Sequence, residues 1–186
     1  MLSKIAPSAG KILISEPFML DPQFRRSVVL LVEHAEQGSV GFVLNQETEV
    51  TIPDIIPDFP LFDARIYVGG PVQTDTLHFI HKIPQLIEGG VQVEQDVYWG
   101  GNFDQLKDQI KLGHVMLEDV MFFLGYSGWS PQQLTEEIEE NTWIVADTQA
   151  DDIFNVDHDN FWKKAVRNLG NKYAHIANFP ENPMWN

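Results

Sequence analysis

Gly125-Tyr126-Ser127-Gly128-Trp129-Ser130-Pro131-Gln132-Gln133-Leu134, running on through Glu136 and Glu137 to Asn141 and Trp143, is the stretch that decides how this 186-residue chain folds. Its text predicts a strand, a glycine-bracketed turn, a capped helix and a second strand. Ser130 fits the N-cap, Pro131 the first helical position and Gln133 the third, the spacing of a capping box. Leu134 and Ile138 fall one turn apart and mark the buried face of that helix. The apolar run Val120–Tyr126 supplies the strand before the turn, and Thr142–Ala146 the strand after the helix.

Working outward, Val28-Val29-Leu30-Leu31-Val32 is continuously apolar and rich in β-branched residues, so Ser27–His34 reads as a strand buried on both faces. Glu36-Gln37-Gly38 turns the chain, and Val40–Leu44 returns as its antiparallel partner. Lys11–Ile14 and Arg65–Val68 are shorter strands, the second closed by Gly69-Gly70-Pro71. Leu77–Ile83 and Val91–Tyr98 form a further strand pair. Pro53 opens a short helix that Pro57 ends. Asn102 or Asp104 caps a helix through Lys111, with Gly113 just beyond it. The last helix runs from about Asp159 to Leu169, followed by an irregular tail with Pro180 and Pro183. Strands arrive in pairs and runs with helices placed irregularly among them. That order predicts a single α+β domain over residues 1–186, with a largely antiparallel, irregular barrel-like sheet flanked by helices.

Composition narrows the function. Apolar residues make up 44% and aromatics 11%, enough for a packed core in a chain of this size. With no cysteine, disulfides, thiolate nucleophiles and Cys-based zinc sites are excluded. Residues 1–10 carry one Lys and no long apolar core, unlike a signal peptide, and no apolar run approaches the length of a membrane span. A cytoplasmic protein without a membrane partner is the expectation. Acidic residues number 27 against 12 basic ones, a net charge of −15. Nucleic-acid binding depends on cations that displace counterions from phosphate, so direct contact with DNA is disfavoured. Arg25-Arg26 and Lys163-Lys164 with Arg167 are the basic exceptions, and they read as solvated side chains.

Three blocks of this sequence resemble the YqgE/AlgH family of bacterial proteins. The first holds Ile14-Ser15-Glu16-Pro17, Asp21-Pro22-Gln23-Phe24, Val28–Glu33 with His34, then Gly38, Gly41 and Asn45. The second is Gly69-Gly70-Pro71-Val72 with Ile80-His81. The third is Leu124–Trp129 with Gln133-Leu134, Glu137, Asn141 and Trp143. Ser39 replaces a common alanine, and the chain from Asn171 on departs from the usual ending. The resemblance implies one α+β domain around an irregular barrel-like sheet. It also implies a connection with transcriptional regulation of polysaccharide synthesis, which the charge balance makes indirect, through a protein or a small ligand.

Catalytic readings meet obstacles in the residues themselves. Ser127 sits in Gly-Tyr-Ser-Gly-Trp, whereas a nucleophile elbow needs Gly-x-Ser-x-Gly, and Trp129 occupies the second glycine's place. A tight turn bracketed by Gly125 and Gly128 is the simpler account. Glu33 and His34 are adjacent on a strand and point to opposite faces, so one cannot orient the other toward Asn45 or Ser127. His78 and His81 also face opposite sides, which spoils a shared metal. Asp151, Asp152, Asp157 and Asp159 lack a calcium-loop register. Gly69-Gly70-Pro71-Val72 lacks the ending of a phosphate loop. No cofactor and no metal is expected. Glu136, Glu137, Glu139 and Glu140 form an acidic helix face, solvated or suited to a basic partner.

The leading expectation is therefore a non-catalytic binding module. Its ligand or partner groove is placed at the loops carrying His34, Asn45, Gly70, Tyr126, Ser127 and Trp129, where small, polar and aromatic residues concentrate. The alternatives are a hydrolase using Ser127 or His34 and, against the net charge, a direct DNA-binding regulator.

Overall fold

Continuous apolar runs such as Val28–Val32 become strands buried on both faces. A computed structural model of the chain describes residues 3–155, 157, 158, 160–171, 173 and 175–179. In chain order, β1 (Ile12–Ser15), β2 (Val28–Ala35), β3 (Gly38–Val43) and β4 (Glu47–Thr51) precede α1 (Ile52–Ile55). Then come β5 (Arg65–Val68), β6 (Val72–His81), β7 (Val91–Glu94), β8 (Val97–Trp99) and α2 (Phe103–Lys111). The chain continues through β9 (Val120–Trp129), α3 (Gln133–Glu139), β10 (Trp143–Ala146), α4 (Ala150–Phe154) and α5 (Phe161–Asn168). The Asp159 helix start and the tail with Pro180 and Pro183 lie outside the described residues.

The strands form one mostly antiparallel sheet in the order β10-β1-β2-β3-β9-β6-β8-β7, with β4 beside β5 and β5 beside β9. The fold is α+β as expected, but the sheet is not closed: β10 and β7 end the path without pairing to each other. The barrel-like shape comes from curling. Leu30 and Phe42 from one half of the sheet meet Ile80, Val97 and Phe123 from the other in a shared apolar core, capped by Phe154, Phe161 and Trp162. A second core forms under α1 and α2, joining Ile52, Leu106 and Ile110 to Ile66 and Phe122. A third lies under α3, where Leu134 and Ile138 cover Leu31, Val43, Trp129 and Trp143. Each fully buried Leu, Ile or Phe contributes about 2 kcal/mol, so all three layers are needed to offset chain entropy.

Three local expectations are corrected. The strand predicted to stop near Tyr126 runs on to Trp129, because residues 127–129 pair with Gly41, Val40 and Ser39 of β3. The glycine-bracketed turn is thus absent: Gly125 has φ +67°, but Gly128 lies in ordinary strand. Val91–Tyr98 is two strands, split by Gln95-Asp96, with Asp96 at φ 60°. The helix after the signature begins at Gln133 rather than beside Ser130. There the Gln133 amide N–H donates to the Ser130 carbonyl (3.1 Å), and the Ser130 N–H donates to the Gln133 side-chain oxygen (3.0 Å). These bonds close a tight turn that places Gln132 at φ 69° before the helix can start.

Candidate functional site

Strand β9 changes partners along its length. Beside residues 122–124 it runs parallel to β5; beside residues 127–129 it runs antiparallel to β3. β6 lines the opposite edge as far as Tyr126, pairing Leu124 with Leu77 and, past an irregularity, Tyr126 with Val72. The handover from β5 to β3 falls at Gly125 and is made by Gly69. The Gly69 N–H donates to the Leu124 carbonyl (2.9 Å), and its own carbonyl accepts the Val43 N–H (2.9 Å) and the Ser127 hydroxyl (3.0 Å). One residue, through the two peptide groups that flank its Cα, therefore joins β9 to β3 at the end of β5.

Backbone proximity explains the glycines. A Cβ on Gly70 would lie 2.3 Å from the Tyr126 carbonyl carbon and 2.4 Å from the Ser127 nitrogen. A Cβ on Gly125 would lie 2.6 Å from the Gly70 oxygen. Both are impossible contacts. The Gly69-Gly70-Pro71 segment and the Gly125–Trp129 signature are the two halves of a single crossing.

Ser127 is wholly buried, with its hydroxyl directed at Gly69 and no imidazole beside it. Trp129 is also buried, and its indole N–H donates to Glu137 Oε2 (2.8 Å). Trp143 donates to the same oxygen (2.8 Å), and the Gln133 side chain donates to Glu137 Oε1 (2.9 Å). The indoles meet edge to face at 5.9 Å. Glu137 thus leaves the solvated acidic face expected for it, while Glu136, Glu139 and Glu140 stay exposed. Sequence reasoning missed this clamp. Its signal was Glu137 falling one turn after Gln133 on the face toward Leu134 and Ile138.

Of the six expected site residues, Gly70, Tyr126, Ser127 and Trp129 gather at the crossing. His34 stands across the β2–β3 hairpin from Ser39, which pairs with Trp129. Its Nδ1 lies 2.7 Å from the Ser39 hydroxyl, a partner the sequence did not suggest. Asn45 sits at the other end of that hairpin. Its side chain accepts from the Val28 N–H and donates to the Arg26 carbonyl, each at 2.9 Å, and so fixes the start of β2. A shallow recess of about 300 Å³ opens where Tyr126, Gly128 and Trp129 meet Glu33, Gln37, Gly38 and Ser39. Tyr126 and Trp129 therefore reach the recess, while His34, Asn45, Gly70 and Ser127 do not line it.

One histidine of β6, His78, borders this region, and a second, His81, lies at the strand's other end opposite Val120. Burial holds both His78 and His81 below the ordinary imidazole value. His78 packs against Phe42 and, edge to face, against Tyr126. His81 is fully buried; its Nε2 lies 3.0 Å from the Gly100 carbonyl, and its Nδ1 accepts from the Ile83 N–H at 3.2 Å, the pattern of a neutral ring. Elsewhere, Tyr67 donates to Glu47 Oε1 (3.3 Å) with His158 Nε2 at 3.1 Å, and burial, reinforced by the Glu47 charge, keeps the phenol protonated.

Comparison with known proteins agrees with this architecture. A family model described as AlgH-like matches residues 12–174. An UPF0301 protein of Chlorobaculum tepidum is 41% identical over 177 residues, covering 95% of both chains. Another, of Bacteroides thetaiotaomicron, is 41% identical over 185 residues, 99% of this chain and 94% of that one. Among solved structures, a Corynebacterium diphtheriae protein superposes with a TM-score of 0.79 at 22% identity, over 94% of each chain, which shows a shared fold. The solution structure of AlgH from Pseudomonas aeruginosa gives a TM-score of 0.74 at 27% identity, over 96% of this chain and 98% of that one. Among the described residues, no helix is long and apolar enough to cross a membrane.

Proposed function

The chain belongs to the AlgH-like family, and on that premise we propose that it is a non-catalytic binding module, touching transcriptional regulation only indirectly, through a protein partner. One observation carries this reading: Ser127, the hydroxyl at the heart of the signature, is fully buried and donates to a backbone carbonyl. A nucleophile needs access to substrate and a base within hydrogen-bond reach, and Ser127 has neither.

The recess beside Tyr126 and Trp129 is broad and shallow, a shape that suits a protein loop better than an enclosed small molecule. Glu33 lines it, and the exposed Glu136, Glu139 and Glu140 stand on α3, which packs against Trp129. The partner that fits is basic, steered by the acidic field and anchored on the aromatic floor. Ser39 lines the recess, and the His34 ring lies within hydrogen-bond distance of its hydroxyl.

A photo-crosslinking residue at Gln37, compared in cells with one at Leu112 on the far helix, tests this proposal. A defined protein adduct from position 37 alone, weakened by Glu33→Lys and by Tyr126→Ala, is the expected result. Equal adducts from both positions, or none from position 37, would sink it. A screen of generic esters, phosphoesters and peptides tests the hydrolase alternative, for which Ser127→Ala is the decisive comparison.

A further inference from the structure

Strand β10 is a free edge of the sheet, and α5 lies over the face beside it. The apolar core is open between them. The opening is a cleft of about 320 Å³, within the range that holds small ligands, with walls of Ile5, Ile12, Ile144, Phe161 and Leu169. Its outer wall is the segment around Lys4, held in place because the Ser3 hydroxyl accepts the Val145 N–H of β10 (3.1 Å) and donates to the Ile5 carbonyl (3.1 Å).

Two lysines and two aspartates line its mouth, and they are not all paired. Asp147 pairs with Lys11 and Asp152 with Lys164, each at 2.7 Å. The Asp147 contact raises the Lys11 amine above its usual value, as a stable pair should. Lys4 also borders the cleft and makes no ion pair among the described residues. Of the four charged side chains that line the cleft, Lys4 is thus the one without a countercharge among the described residues, in a chain of net charge −15. An apolar trough beneath a single unmatched ammonium is complementary to a molecule with an apolar body and one anionic head.

We propose that this cleft binds a small amphipathic monoanion of the aliphatic carboxylate class, its chain against Ile144, Phe161 and Leu169 and its carboxylate at Lys4. The site lies apart from the Tyr126–Trp129 recess and stands or falls independently of it.

The test titrates the full chain, followed by amide NMR, with three probes: octanoate, its neutral analogue octanamide, and acetate. Octanoate is expected to saturate shifts at Ile5, Ile144 and Leu169, with octanamide and acetate each weaker by about tenfold or more, the worth of one charge-assisted contact or of the apolar chain. Lys4→Glu, an exposed change that leaves the fold intact, should weaken octanoate about tenfold and leave octanamide unchanged. Leu169→Glu should abolish both. The proposal is overturned if octanoate causes no saturable shift, if its shifts map away from the cleft, if octanamide binds as well, or if Lys4→Glu binds octanoate like the parent chain.

Discussion

The crossing of β9 over Gly69-Gly70 and the cleft between β10 and α5 use their residues in opposite ways. At the crossing, polar groups turn inward: the Ser127 hydroxyl to Gly69, both indoles and Gln133 to Glu137. At the cleft, apolar walls face an opening, and Lys4 stands without a countercharge among the described residues. The crossing holds the densest motif in the sequence, and the cleft holds none. A close backbone approach dictates residue type at every position, because one added carbon collides. A cleft wall needs only apolar residues of about the right size. Motif density here marks steric constraint, a demand that a cleft wall does not make.

The largest expected effect breaks the crossing itself. Gly70→Ala drives a methyl group to 2.3 Å from the Tyr126 carbonyl carbon. A loss of about 3 kcal/mol or more is expected, enough to prevent folding in a marginal domain. Gly113→Ala is the matched control. It also has positive φ (+72°), but nothing lies within 4 Å of the new Cβ, so only backbone strain of about 1 kcal/mol is expected. Urea unfolding of both variants separates collision from strain. Equal losses would refute the close-approach account.

Next comes the clamp. Glu137→Ala leaves two largely buried indole N–H groups without their acceptor, a loss of about 3 kcal/mol at the usual cost of an unmade buried bond. Glu137→Gln keeps one acceptor oxygen for the indoles but turns an amide toward Gln133, and about 1 kcal/mol is expected. If urea midpoints place the two variants together, the carboxylate is not the element that joins α3 to β9 and β10.

Most strands could be read from the sequence, because their signal is local: Val28–Val32 and Val120–Leu124 are apolar runs bounded by polar or glycine residues. Three features escaped because their causes are distant in the chain. The signature remains strand to Trp129 only because β3, more than eighty residues earlier, pairs with it. The parallel match of β5 with β9 joins residues more than fifty apart, such as Ile66 and Phe122. Glu137 looked solvated because neither tryptophan it binds is a helical neighbour. Tyr126, Trp129 and His34 do fall near one recess, since they share paired strands. Asn45 was drawn into the same group by residue type alone, and the structure gives it a backbone-holding role at the other end of the hairpin.

Acid should sharpen the contrast, since the half-buried imidazole of His78 packs on Tyr126 at the crossing, while among the described residues no histidine lines the cleft. Burial places the folded-state values of His78 and His81 below the ordinary one. Between the two values the unfolded chain binds more protons, so stability is fully present above about pH 6.5 and declines as pH falls below it. For His81 the decline cannot exceed about 1.4 kcal/mol per pH unit, the limit for one proton. Denaturation midpoints measured across this range should fall with acid, and His81→Asn should flatten that dependence while lowering the midpoint at neutral pH. An unchanged slope would mean the ring is not held neutral by burial.

The smallest effect falls on the residue that looks most catalytic. Ser127→Ala removes one hydrogen bond to the Gly69 carbonyl, but that oxygen keeps the Val43 N–H as a donor. No buried polar atom is orphaned, and alanine fits the space, so about 1 kcal/mol or less is expected. The contrast with Gly70→Ala, at the same crossing, then measures what the signature conserves in energy: room for the backbone ahead of the hydroxyl. Thermal unfolding gives the stability term and the hydrolase screen gives the chemistry. A Ser127→Ala chain that folds normally yet loses a hydrolytic activity of the parent would show that the buried hydroxyl becomes accessible to substrate, and the division between a structural crossing and a binding cleft would fail.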